Sequence, residues 1–134
     1  MTGPARGRTV ADMSTNGKVV VNLTTGHEDA DKVTLAFLVA TAAQAKGKQA
    51  VMFLTKEAVR LGLPGYADAV ESAGAPPVAR LYQQFADAGG ELFVCPICFD
   101  ARKLNADELV PNARIAGATP LWEYIGEGAT VFSY

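Results

Sequence analysis

Read on its own, the sequence predicts an α/β protein in which a parallel sheet is covered on both faces. Two observations carry that prediction. Short apolar runs rich in β-branched residues alternate with segments of helical periodicity, and glycine or proline stands at most of the junctions. The first run, Lys18-Val19-Val20-Val21-Asn22-Leu23, has the near-continuous apolar character of a strand buried on both sides. Thr24, Thr25, Gly26 and His27 form the turn behind it. A helix is expected from about Asp29 to Ala45, with Val33, Phe37, Leu38 and Ala42 on its inner face and Gly47 ending it.

The second strand is Ala50-Val51-Met52-Phe53-Leu54. Thr55 then reads as the N-cap of a short helix, Lys56 to Leu61, stopped by Gly62 and Pro64. Residues 62–77 hold three glycines and three prolines, and so read as irregular chain with a helical turn near Tyr66 to Glu71. Val78 to Ala88 is a helix that groups Leu81, Tyr82 and Phe85. Gly89-Gly90 leads into the third strand, Glu91-Leu92-Phe93-Val94. A helix after Cys95 follows, then a turn at Ala106 to Leu109 and a short strand over Ala113 to Ala116. Thr119-Pro120 has the form of an N-cap followed by proline at the first helical position, opening a helix through Ile125. Gly126 and Gly128 close it before a terminal strand, Ala129 to Tyr134.

With 134 residues the chain is the size of one domain, and its 49% hydrophobic content can fill a core. The expected division is a polar leader over residues 1–16, with Met13 as an alternative start, and one domain over 17–134. A net charge of −2 gives no electrostatic basis for binding nucleic acid or an acidic membrane. No stretch has the length and apolarity of a membrane span, and the leader lacks the apolar core of a secretory signal. Two cysteines do not make a secreted disulfide framework, so a reducing cytoplasm is the expected compartment.

Those two cysteines are the chemical focus. Cys95-Pro96-Ile97-Cys98 places both thiols where the third strand ends and a helix begins, and free N–H groups at a helix start favour a thiolate. Ligands of parallel α/β sheets meet the protein outside the carboxyl ends of the strands. The turns holding His27 (the only histidine), Lys56 and Cys95 all leave such ends. His27 and Lys56 are therefore candidate modulators of thiol charge, and Thr25, Gly26, Pro96 and Trp122 are candidates for lining a substrate pocket. Each has a plainer reading as a loop or surface residue. The aromatic and apolar neighbours Ile97, Phe99, Trp122 and Tyr124 would restrict water if they surround the thiols. Two thiols supply half the ligands of a zinc site, so no metal is expected within one chain. Gly62-Leu63-Pro64-Gly65 lacks the spacing and ending of a phosphate loop, and no cofactor is expected. The late position of the motif argues against a thioredoxin order of elements.

Beyond these readings, the chain resembles the DsrE/DsrF-like family of small sulfur-relay proteins. The resemblance rests on Val19 to Leu23 with the helix behind it, on Leu92-Phe93-Val94-Cys95-Pro96-Ile97-Cys98 with Ala101-Arg102, and on Ala116 to Trp122 leading to Val131 to Tyr134. It implies a three-layer α/β/α sandwich with a parallel five-stranded sheet, assembled as a homotrimer or homohexamer. It also implies a sulfur carrier: Cys95 matches the residue that holds sulfur as a persulfide, with sulfur-donor and sulfur-acceptor proteins as partners. Cys98 departs from members with a single cysteine and brings in a resolving thiol. Two other functions stay open. One is a dithiol oxidoreductase or peroxide-reactive thiol protein, and the other a non-catalytic oligomeric module with structural or metal-binding cysteines.

Overall fold

The computed structural model describes residues 17–134, so the expected leader lies outside the described residues. Five strands, β1 (Lys18–Leu23), β2 (Gln49–Leu54), β3 (Glu91–Val94), β4 (Ala113–Ile115) and β5 (Thr130–Ser133), form one sheet in the order β4-β3-β2-β1-β5. Every pairing is parallel. The α-helices are α1 (Ala30–Ala45), α2 (Val78–Asp87), α3 (Pro96–Ala101) and α4 (Ala118–Ile125), and three 3-10 segments cover Lys56–Gly62, Tyr66–Ala69 and Ala106–Glu108. The expected fold class is the observed one.

Strand alternation divides the core between the two faces. Val19, Val21 and Leu23 of β1, Met52 and Leu54 of β2, and Leu92 and Val94 of β3 point to one face, where Val33, Ala36, Phe37 and Ala40 of α1 and Leu81 and Phe85 of α2 cover them. Phe37 meets Phe85 edge to face at 5.8 Å, which locks the two helices together. The opposite face is thinner. There Val51, Phe93 and Ala116 pack under Leu121 and Tyr124 of α4, with the Phe93 and Tyr124 rings 6.1 Å apart and the Arg114 guanidinium over the Phe93 ring.

Several local expectations change. The inner face of α1 is Val33, Thr34, Ala36, Phe37 and Ala40, while Ala42 is exposed and Leu38 half-buried. Val33 and Phe37 hold the expected face, and Thr34, Ala36 and Ala40 join them where Leu38 and Ala42 were expected, so the buried stripe is rotated toward the small residues. Asp29 is its N-cap and accepts from the Lys32 N–H at 3.1 Å. Thr55 makes no side-chain cap, and the segment after it is a 3-10 helix that Lys56 enters with φ +52°. That left-handed backbone turns the chain too tightly for an α-helical start.

The last helix begins at Ala118 with Gly117 in the cap position, so Thr119 is inside it and Pro120 is its third residue. First-turn N–H groups have no intrahelical partner, so proline is accepted there beyond the first position. Gly117 stands before the helix because a Cβ on it would lie 3.3 Å from the Pro96 ring.

Candidate functional site

The sheet order makes β1, β2 and β3 consecutive, so the turns carrying His27, Lys56 and Cys95 leave neighbouring strands at one edge. Backbone bonds fasten that edge. Thr55 N–H donates to Leu23 O, Cys95 N–H to Leu54 O, and Ala116 N–H to Val94 O, each at 3.0 Å. Cys95 is thereby held by β2, and the start of α4 is drawn against the cysteine turn.

Cys95 is the N-cap of α3 and Cys98 its third residue; Pro96 takes the first helical position, where the missing N–H is not required. Cys95 makes no side-chain cap hydrogen bond, and both cysteines pack in part against the main core. Both are free thiols of intermediate exposure, and Phe99, only 1% exposed, anchors the turn in the core.

The candidate modulators are arranged differently. The His27 ring stacks on Tyr66 at 3.7 Å, its Nε2 is 2.8 Å from Tyr66 O, and its N–H donates to the Tyr66 hydroxyl at 2.9 Å. His27 therefore fastens the 3-10 segment Tyr66–Ala69 to the first turn. Gly26 belongs to the same contact, because any side chain on it would collide with the Tyr66 hydroxyl. Burial raises the pKa of that hydroxyl, against the His27 N–H bond, which lowers it. Lys56 is exposed and enters no ion pair among the described residues.

The charges beside the thiols are ones the sequence reading passed over. Arg102 donates from Nε to Glu57 Oε2 at 2.5 Å and from Nη1 to the Cys98 carbonyl at 3.1 Å. Arg60 holds the other Glu57 oxygen at 2.8 Å. The Arg102 bond and then the Arg60 bond hold the Glu57 carboxyl below the usual range, and Glu57 raises Arg102 in turn. Glu57 and Arg102 are 45 residues apart. Only an Arg four residues after Cys98, on the same turn of helix, was a readable sign of the cluster.

The expected pocket lining is dispersed. Thr25 Oγ1 is buried without a hydrogen-bond partner, Gly26 is filled by Tyr66, Pro96 touches Gly117, and Trp122 is 70% exposed. The expected apolar fence does not close either. Ile97 is 78% exposed, Phe99 lies in the core, and the Tyr124 hydroxyl donates to Gln49 O at the opposite edge of the sheet. Both cysteines thus lie at the carboxyl edge of β3, partly buried against the core, with the exposed Ile97 between them.

Fold and site together define a parallel α/β sandwich with a dithiol at the carboxyl edge of an inner strand. The chain belongs to the DsrE/DsrF-like family, whose sequence profile matches residues 17–134. It is 27% identical over 104 residues to the uncharacterized protein MJ0760 of Methanocaldococcus jannaschii, a match covering 78% of this chain and 38% of that relative. This chain therefore corresponds to well under half of that relative's length. Its fold is similar to the crystal structure of the YchN protein from E. coli, with a TM-score of 0.71, 16% identity, and coverage of 88% of this chain and 99% of that one. It is also similar to MTH1491 from Methanobacterium thermoautotrophicum, titled a protein of unknown function, with a TM-score of 0.65, 13% identity and the same coverage. Among the described residues no helix is long and apolar enough to cross a membrane.

Proposed function

We propose that the chain is a cytoplasmic sulfur-handling protein that carries sulfane sulfur as a persulfide on Cys95, with Cys98 as the resolving thiol. The observation that carries this reading is the pair itself: two free, partly buried cysteines at the N-cap and third position of α3, at the carboxyl edge of the sheet. Membership of the DsrE/DsrF-like family supports it.

The chemistry uses only thiol exchange. The Cys95 thiolate attacks the outer sulfur of a donor protein's persulfide; an S–S bond forms to Cys95 and the donor thiolate leaves with the electron pair of the broken bond. An acceptor protein's thiolate then takes that outer sulfur and restores Cys95. Alternatively, the Cys98 thiolate attacks Cys95 Sγ, which releases hydrosulfide and leaves a Cys95–Cys98 disulfide for an external dithiol to reduce. Arg102, paired with Glu57, bonds the Cys98 carbonyl and so fixes the turn that carries the resolving thiol. In this reading His27 and Lys56 act by setting the charge and shape of the surrounding edge, and Thr25, Gly26, Pro96 and Trp122 shape the ground an incoming partner meets. The working form is a homotrimer or homohexamer.

The test is the intact mass of the protein after incubation with a persulfide donor. The expected gain is one sulfur atom, about 32 Da, retained in Cys98→Ser, where no resolving thiol can release it, and lost in Cys95→Ser. Loss of two hydrogens in the wild type with no sulfur gained by Cys98→Ser would instead identify the second reading, a dithiol oxidoreductase. That reading is favoured by the same two free cysteines, at the N-cap and third position of one helix.

A further inference from the structure

The α1 side of the sheet is not filled at its β5 flank. Helix α1 lies over β1 and β2, and β5 extends beyond it, leaving Phe132 39% exposed. Between α1 and β5 runs a groove of about 360 Å³. Val19, only 2% exposed, closes it below, while Val39, Ala42 and Ala43 line it from the helix and Phe132 from the strand. The groove stays open because α1 presents alanine there, where a larger side chain would close the gap to β5.

Charge gathers at one end. Lys46 and Lys48 line the same groove at the amino end of the sheet, where α1 ends and β2 begins. The Lys48 ammonium stands over the start of β1, since a Cβ on Gly17 would lie 2.7 Å from its Nζ. Among the described residues neither lysine enters an ion pair, and no carboxylate lines the groove. Two ammonium charges outweigh the negative pole of about half a charge that closes α1, so this end favours an anion. Thr130 supplies the one neutral polar side chain of the lining.

An apolar trough with a cationic end has the pattern of a site for an anionic amphiphile: hydrocarbon lies along the trough and the charged head meets the lysines. Its size sets the length of the ligand. From Val39 to Lys46 the helix contributes about 10 Å along its axis. The volume is near the lower end of the usual range for ligand sites, about 300–1,000 Å³, which suits a short tail. A net charge of −2 disfavours an anionic membrane as the source of the ligand.

We infer that the groove between α1 and β5 binds one free medium-chain carboxylate, its tail against Val19, Val39 and Phe132 and its head at Lys46 and Lys48. No covalent bond forms or breaks. The lysines stand at the opposite end of the sheet from Cys95, so the site does not depend on the sulfur reading.

Calorimetric titration of the full chain with sodium octanoate and sodium decanoate, below their micellar concentrations, tests the site. One ligand per chain is expected, tightening about fourfold for each methylene added until the groove is full. Octylammonium, with the same tail and the opposite charge, should bind about tenfold more weakly than octanoate, and the double variant Lys46→Gln, Lys48→Gln should weaken octanoate by a similar factor. Ala42 is exposed, so Ala42→Phe should fill the groove and abolish binding with the fold kept, as circular dichroism would verify. Ala42→Glu should weaken binding without filling the groove, because its carboxylate would pair with Lys46 one turn on. Equal affinity for octylammonium, retention of octanoate by Ala42→Phe, or binding to anionic vesicles without binding of free octanoate would overturn the site. So would a changed sedimentation coefficient for Ala42→Phe, which would show that a second copy fills the groove. Cys95→Ser should bind octanoate normally while failing to gain sulfur, so the two proposals fail separately.

Discussion

Tyr82 shows how one partly buried hydroxyl ties the segment after β2 to the helix layer. Its OH donates to Leu61 O at 2.5 Å, and burial pushes its pKa up to about 12. Replacement by phenylalanine keeps the ring's packing against Phe37 but removes the donor, and is expected to cost about 1–2 kcal/mol in urea unfolding at neutral pH. The pH dependence follows with a definite sign. The folded state favours the neutral phenol, so the stabilisation is complete below the ordinary value of 10.0 and is lost as pH rises through about 12. The slope in that window approaches about 1.4 kcal/mol per pH unit for Tyr82, and Tyr124, also raised to about 12 by burial, adds to it. Tyr82→Phe should flatten the window, and the double variant with Tyr124→Phe should flatten it further. Glu57 works in the opposite range. Arg102 and Arg60 lower its pKa, so its contribution is present above the ordinary 4.5 and is lost as pH falls through the folded value. Glu57→Gln should therefore be less stable than wild type at neutral pH, with the difference vanishing in acid and shrinking in salt, because the pair is half-exposed.

At the scale of elements, the connections are the sensitive points. Asp29→Ala removes the cap of α1 and is expected to cost about 1 kcal/mol in thermal or urea unfolding. Gly90→Ala should cost more, about 1–3 kcal/mol, because its Cβ would lie 2.5 Å from ring carbons of the buried Phe85. An unchanged midpoint would mean that the turn before β3 yields freely. These elements also show what the sequence could reveal. The strands were readable because a strand buried on both faces is written as a continuous apolar run, as in Val19-Val20-Val21. The end of β3 and the dithiol were readable together for the same reason. The face of α1 was not, since alanine fits a close interface and an exposed surface equally well, as Ala36 and Ala42 show. The start of α4 was missed because its cap is set by the Gly117–Pro96 approach, a contact between distant segments. The Glu57–Arg102 pair was hidden likewise, and the pull of His27 toward Tyr66 depends on a loop whose path no local pattern encodes.

For the molecule as a whole, the two faces of the sheet are unequally covered. The α1 and α2 layer carries the larger core, whereas α4 contributes no fully buried residue and leaves Trp122 70% exposed. At the neighbouring edge β5 exposes Val131 at 55% and Phe132 at 39%, with no lysine, proline or bulge to discourage pairing. Trp122 and Val131 are exposed apolar residues on the side of the thin layer, a surface suited to cover by another protein, whereas Phe132 lies in register with Val21 and faces the α1 side. They agree with the proposed homotrimer or homohexamer, in which copies of the chain would shield the α4 layer and leave the dithiol edge for relay partners. Trp122 is the chain's single tryptophan, so its fluorescence reports on this surface directly. The assembled protein should emit at shorter wavelength than the protein diluted to monomer. Trp122→Glu should sediment as a 14.1 kDa monomer with its circular dichroism unchanged, because the side chain adds nothing to the monomer's core. Sedimentation of the wild type as a monomer at micromolar concentration would sink the assembly, and an oligomeric Trp122→Glu would move the contact to another surface, with the β5 edge the next to test.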